Sequence, residues 1–277
     1  MLTPQPVPSR PYRLSTAHAC PACLRPRSLT ADEARPIGAR SAFIRAQKVE
    51  RTYVTQLRKI ARHVGDIVRG FDVQDLPGAQ RVQALLDRYA TTLGPWAEAV
   101  GSRMVTEVAA RDERAWFRVA QMMGTGLKRE ITQAPTGTVM RARMAEQVTL
   151  ITSLPTEAGQ RVHDLTIAGI SEGRRAADIA AEIQRTGEVT ESRAMLIART
   201  EVSRTATELT KARAEHIGST HFIWRTAGDS DVRATHKALN GQSFRWDEPP
   251  ECDPGHHALP GGIFNCRCYP EPVIPNL

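Results

Sequence analysis

From Ala198-Arg199-Thr200-Glu201-Val202, through His221-Phe222-Ile223-Trp224-Arg225, to Asn265-Cys266-Arg267-Cys268, the chain changes from one kind of structure to another. Before Gly218 the pattern is helical. Met195, Ala198, Val202, Leu209 and Ala212 fall on one face of a helix predicted over residues 190–216, which Thr190 can cap and Gly218 can close. After Gly218 the residues become β-prone, at 221–225, 242–246 and 269–274. Between these segments, residues 229–239 predict a short helix capped by Asp229 or Ser230, and residues 247–262 are mostly turn chemistry. The spacing predicts a small α+β C-terminal domain over 173–277, with a short sheet and an irregular Cys/His-rich loop.

Upstream the apolar periodicity is helical almost throughout. Tyr53, Leu57, Ile60, Val64, Ile67 and Phe71 form one stripe, and Val82, Leu86, Tyr89 and Leu93 form a second. Pro95 suits the first turn of a third helix, on which Trp96, Val100, Met104 and Val108 recur every four residues. Residues 139–150 predict another helix. Pro155 is expected to restart the chain into a further one that ends near Ile170. A short helix over 176–184 should bury Ile179 and Ile183, with Gly187 as its left-handed cap. The fold class is therefore α+β, with a helical domain over 31–172. Residues 1–30 carry Pro4, Pro6, Pro8, Pro11, Pro21 and Pro26 and no acid, so they predict an extended Pro/Arg-rich arm.

Charge is divided unevenly along the chain. Its 37 basic and 30 acidic residues give +7 overall. Residues 1–185 hold 27 basic and 18 acidic side chains, a balance of +9, whereas residues 186–277 hold 10 and 12, a balance of −2. Attraction to double-stranded DNA or to an acidic protein surface is thus expected in the N-terminal part, with Arg10, Arg13, Arg25 and Arg27 of the arm as contacts. Solvated arginine-rich helix faces account for the same balance. No apolar run reaches the roughly 18 residues that would suggest a membrane span. Met1-Leu2-Thr3-Pro4 opens no secretory signal, so the expectation is a start in the cytoplasm and no membrane partner.

Five cysteines fall in two groups, Cys20 with Cys23 and Cys252 with Cys266 and Cys268. In a reducing compartment metal binding outranks a disulfide framework. Cys266 and Cys268, two apart, put both sulfurs on one face of an extended segment. His236 and Cys252 would complete a tetrahedral Cys3His set for a structural zinc, with His256 and His257 in reserve for Cys252. Reduced buried thiols beside a hydrogen-bonded histidine, or a disulfide, are the alternatives. His18, Cys20 and Cys23 form a possible second half-site that lacks a nearby partner pair. Arg199 and Glu201 flank Thr200, each about 100° from it around the helix. They are expected in structural ion pairs, to Asp231 or Arg233. There is no His-Glu-x-x-His, Gly-rich phosphate loop or Gly-x-Ser-x-Gly, so no enzyme is expected and no catalytic residue is assigned.

The ordered series of motifs resembles the C-terminal domain of bacteriophage Mu F-like minor head proteins, the head-morphogenesis family. Ile197 to Val202 looks like the family's helix signature. Trp224, Asp229, Arg233, His236, Leu239 and Gly241 look like its Trp…Asp…Arg-x-x-His…Leu-x-Gly segment, and Gly261 or Gly262 with Asn265-Cys266-Arg267-Cys268 looks like its ending. The insertion from Glu251 to His257 departs from that pattern and leaves the fourth metal ligand open. The resemblance implies a minor head protein of a tailed phage or prophage, made in the host cytoplasm and then carried in the virion head. Its implied partners are the portal and the major capsid or scaffold proteins, and its implied role is head morphogenesis with DNA packaging or exit. A zinc-stabilised nucleic-acid-binding module and a phage-associated enzyme or toxin are the alternatives.

Overall fold

The structure is a computed structural model that describes residues 43, 46–71, 76–123 and 125–274. The predicted arm, with Arg10, Arg13, Arg25 and Arg27 and the half-site His18, Cys20 and Cys23, lies outside the described residues. Seven helices come first: α1 (Gln47–Arg69), α2 (Leu76–Thr92), α3 (Gly94–Met123), α4 (Thr125–Gln133), α5 (Thr136–Ser171), α6 (Ala176–Gln184) and α7 (Thr186–His216). After them come β1 (His221–Arg225), α8 (Ala234–Leu239), β2 (Ser243–Arg245), β3 (Glu251–Asp253), β4 (His256–His257) and β5 (Tyr269–Val273). The chain is α+β as predicted, helical first and with a small sheet region at the end.

Of the stripe read on α1, Tyr53, Leu57, Ile60 and Val64 are buried, with α7 and α5 packed on the helix, while Ile67 and Phe71 pack half-buried against the same core. Val82 and Leu86 of α2 meet Leu154, Ala158 and Val162 of α5 in the same core. A second core gathers Trp116 and Val119 of α3, Ala214 at the end of α7, Phe222 and Trp224 of β1, and all three described cysteines. Helices α3 and α7 therefore run through both cores and hold the sheet region against the bundle.

Four boundaries differ from those predicted. Pro155 does not restart the chain but sits buried inside a continuous α5. In the turn before it, the hydroxyls of Thr152 and Ser153 donate to the carbonyls of Val148, Thr149 and Leu150, which steadies the backbone where the ladder loses a donor. Gly187 does not end α6. It lies in the first turn of α7, where a Cβ would come within 2.9 Å of the Gly65 Cα. Thr190 is likewise internal, its hydroxyl donating to the Thr186 carbonyl. Gly218, at φ +84°, does close α7 as predicted. The short helix begins at Ala234 rather than near Asp229, because Asp229 and Asp231 are engaged elsewhere.

The sheet has strand order β2-β1-β5, antiparallel throughout, with Phe222 opposite both Phe244 and Pro272. Pro270 and Pro272 lie on an edge strand, the position that tolerates a missing backbone donor. Within the predicted turn region, β3 and β4 pair as a small hairpin about Gly255, at φ +76°. No described helix is long and apolar enough to cross a membrane.

Candidate metal centre

Helix α8 carries His236, and the segment leading into β5 carries Cys266 and Cys268; all three are buried. His236 Nδ1 lies 3.5 Å from Cys266 Sγ and 3.4 Å from Cys268 Sγ. The three potential ligand atoms all fall within 4.8 Å of one another, the only such group among the described residues. A tetrahedral ion about 2.0–2.1 Å from nitrogen and about 2.3 Å from sulfur sets N and S about 3.5 Å apart. The observed separations fit that requirement, and one imidazole with two thiols suits a borderline-soft ion. The cluster can hold a metal.

The far side of the ring is built to match. Asp253 Oδ1 of β3 lies 3.5 Å from His236 Nε2. At that distance the buried Nε2 makes no hydrogen bond. Asp253 also accepts from Thr235 Oγ1 at 2.9 Å and lies 3.7 Å from Arg233, so it is held in place. A carboxylate behind a ligating imidazole fixes the ring and raises its basicity. Trp224 closes the side, its ring edge-on to His236 at 5.4 Å.

The two thiols share one readily lost proton. Cys266 is pulled down to about 5, first by the hydrogen bond with Cys268 and then by that with His236, against burial. The same bond, reinforced by burial, pushes Cys268 up. A thiolate is thus stabilised in the cluster, where a cation would lie.

Cys252, predicted as the fourth ligand, is buried in the same core but stands outside the group of three. Its thiol donates to the His256 carbonyl at 3.4 Å, and burial pushes it up. The reserve ligands His256 and His257 are exposed on β4 and also stand outside the group, with His257 Nδ1 3.1 Å from the Pro249 carbonyl. All three described cysteines are free thiols, so no disulfide links them.

Each predicted ion-pair residue has a partner, but none pairs with another of the four. Arg199 lies 3.5 Å from Glu50. Glu201 faces Arg204 at 3.2 Å and Arg143 at 3.8 Å, and accepts from Gln147, which in turn accepts from Tyr53. Asp231 and Asp229 hold Arg267 at 2.6 and 2.8 Å. Arg233 donates to the Phe264 carbonyl at 2.9 Å. The expected Arg–carboxylate fork between helix and sheet is absent because Glu201 turns into the helical bundle.

Sequence reasoning missed the role of Thr200. Its buried hydroxyl accepts from the Asn265 N–H at 3.2 Å, and Arg199 NH1 donates to Asn265 Oδ1 at 3.2 Å. Asn265 has φ +57°, the only positive value at a non-glycine among the described residues. Below it Arg204 donates to the Gly262 carbonyl and Thr207 to the Pro260 carbonyl, at 3.0 and 2.6 Å. The Gly261 N–H reaches Cys266 Sγ at 3.2 Å. Helix α7 therefore grips the loop that presents the sulfurs. Above the cluster a polar pocket of about 220 Å³ opens between Arg199, Arg233, Arg267 and Asn265.

A helical bundle joined through α3 and α7 to a small sheet region with a Cys2His cluster describes a two-core protein with a candidate metal clip near its C-terminal end. Residues 160–270 match the family described as "Phage Mu protein F like protein". A Haemophilus influenzae relative, described as "Uncharacterized protein", is 28% identical over 247 residues, covering 83% of this chain and 54% of that protein. The NAD(+)–arginine ADP-ribosyltransferase EFV of Enterococcus faecalis is 32% identical over 129 residues, 43% of this chain and 26% of that protein. The chain thus spans about half the length of the first relative and about a quarter of the second. No solved structure matches it.

Proposed function

We propose that this chain is a minor head protein of a tailed phage or prophage, docking on the portal or head interior during head morphogenesis and DNA packaging or exit. The observation that carries this reading is the Phage Mu protein F like domain at residues 160–270. The convergence of its helix signature and its Cys-Arg-Cys ending on one site supports it further. In this reading the metal is a structural zinc held by His236, Cys266 and Cys268. Zinc would supply cross-linking of a loop rich in Pro and Gly, not a reaction. Cys252 is the protein's candidate for the fourth position, since its thiol already lies in the same core. The chain is not an enzyme in this reading, and its place is the host cytoplasm and then the virion head. Major capsid or scaffold proteins are further partners. Packaged DNA is contacted without sequence preference by the basic N-terminal part, through Arg10, Arg13, Arg25 and Arg27.

The enterococcal relative favours one second reading, in which the chain or a longer protein containing it acts as a phage-associated effector. The likeness covers 129 residues, 26% of that protein, and in the leading reading these residues are a shared non-catalytic module. Incubation of the purified chain with NAD+ and an arginine-rich acceptor protein should yield no ADP-ribosylated product, and transfer would establish the effector reading instead. The leading reading is tested by co-sedimenting the full chain with rings of the portal protein from the same phage or prophage. Retention with the rings is expected. Failure to sediment with them, together with salt-sensitive retention on duplex DNA, would replace it with the nucleic-acid-binding module.

A further inference from the structure

Helix α1 buries one face in the bundle and presents the opposite face to water. At about 100° per residue, Lys48, Arg51, Thr55, Lys59 and Arg62 fall within an arc of about 80°, and all five are exposed. From Lys48 to Arg62 this stripe runs about 21 Å along the helix axis. Its four cations enter no ion pair among the described residues. Lys59 Nζ donates to Gln56 Oε1 at 2.8 Å and Arg62 Nε to the Arg58 carbonyl at 3.4 Å, both uncharged acceptors on the same helix.

The acids on and beside this helix have cations of their own. Glu50 is buried and lies 3.5 Å from Arg199, Asp66 faces Arg69 at 2.6 Å, and Glu191 of α7 faces Arg58 at 2.9 Å. Helix α1 holds six basic and two acidic residues, and the excess is gathered on one line. A row of cations without an apolar centre is unlike the core of a protein–protein interface, which is rich in aromatic side chains and poor in lysine. None of the exposed large apolar side chains among the described residues lies on α1. Lys, Arg and Thr are the side chains that contact phosphate oxygens. One strand of a duplex carries a phosphate about every 3.4 Å, about six over the length of the stripe.

We infer that the exposed face of α1 is an interface for the phosphate backbone of double-stranded DNA, contacted through Lys48, Arg51, Lys59 and Arg62 without regard to base sequence. The inference deepens the DNA contact proposed above and rests on it. The stripe is fixed in the fold, because Leu57, Ile60 and Val64 on the opposite face are fully buried. Phosphate contacts release counterions, so the affinity falls steeply as salt rises.

Fluorescence anisotropy of the full chain with a labelled duplex of mixed sequence, over a salt series, tests it. The slope of log affinity against log salt should be shallower by about 3–4 in Lys48→Gln/Arg51→Gln/Lys59→Gln/Arg62→Gln, since each phosphate contact contributes about 0.9. Lys59→Gln/Arg62→Gln alone should give about half that change. Arg69→Gln/Arg174→Gln/Arg175→Gln/Arg185→Gln removes the same charge at arginines that face carboxylates, and should keep the wild-type slope. Equal losses in the two fourfold variants would mean that overall charge attracts the duplex, and an unchanged slope in the stripe variant would put the contact elsewhere; either result overturns the inference. So does a chain that ignores the duplex even in low salt. Retention on portal rings separates this failure from that of the head-assembly reading. A chain that binds the rings but not the duplex loses the stripe and keeps that reading, whereas one that binds only the duplex, through the stripe, keeps the stripe alone.

Discussion

Thr200 and Asn265 hold the turn from which Cys266 and Cys268 are presented. Thr200 lies between two charged residues on α7, yet its own hydroxyl is what receives the Asn265 N–H and sets the left-handed turn before Cys266. Thr200→Val keeps the shape and removes the acceptor, leaving a partly buried N–H unpaired. The expected cost is about 1–3 kcal/mol, read as a lower urea midpoint. An unchanged midpoint would show that the turn holds without the clasp. Asp253→Asn removes the charge behind His236 Nε2, and metal affinity should fall roughly 10- to 100-fold in a chelator competition. Equal affinities would mean that the carboxylate does not tune the ring. The clustering of His236, Cys266 and Cys268 was legible because these residue types have few other uses in such a pattern. Cys252 looked equivalent, but its direction depends on the β3–β4 hairpin. Strands of three and two residues are too short to display alternation.

At the scale of elements, the helix stripes were legible wherever one face meets the core, as on α1. Helix ends were less so, because local chemistry was overruled by packing. Pro155 predicts a break on backbone grounds, but α5 continues through it with Leu154, Pro155 and Ala158 buried against their neighbours. Gly187 resembles a cap, whereas its lack of a side chain serves the close crossing of α1 and α7 at Gly65. No local spacing can report a contact between residues so far apart in the chain. Gly187→Val should force these helices apart and cost about 1–3 kcal/mol, measured by urea denaturation. A variant as stable as the wild type would show that the crossing has slack.

Across the whole molecule, the two cores meet at the buried pair of Asp112 on α3 and Arg213 on α7, with Thr210 donating to Asp112 at 2.5 Å. Burial outweighs Arg213 and pushes Asp112 up to about 6 from 3.8. The folded chain therefore binds this proton before the unfolded chain does. Its contribution to stability is fully present below about pH 3.8 and is lost as pH rises through about 6. The stability of the wild type minus that of Asp112→Asn should accordingly fall by about 3 kcal/mol between these limits. A difference that grows with pH would mean that the ion pair, not desolvation, governs the site. None of this was legible in the sequence, where Asp112 is one acid among several on an arginine-rich helix.

A metal held by His236, Cys266 and Cys268 would clip the C-terminal loops to α8 and order the sheet region. Elemental analysis of the full chain, purified reduced beside Cys266→Ser/Cys268→Ser, tests it most directly. One zinc bound at the cluster of the wild type and lost in the variant is expected. A well-folded wild type whose zinc content matches that of the variant would contradict it.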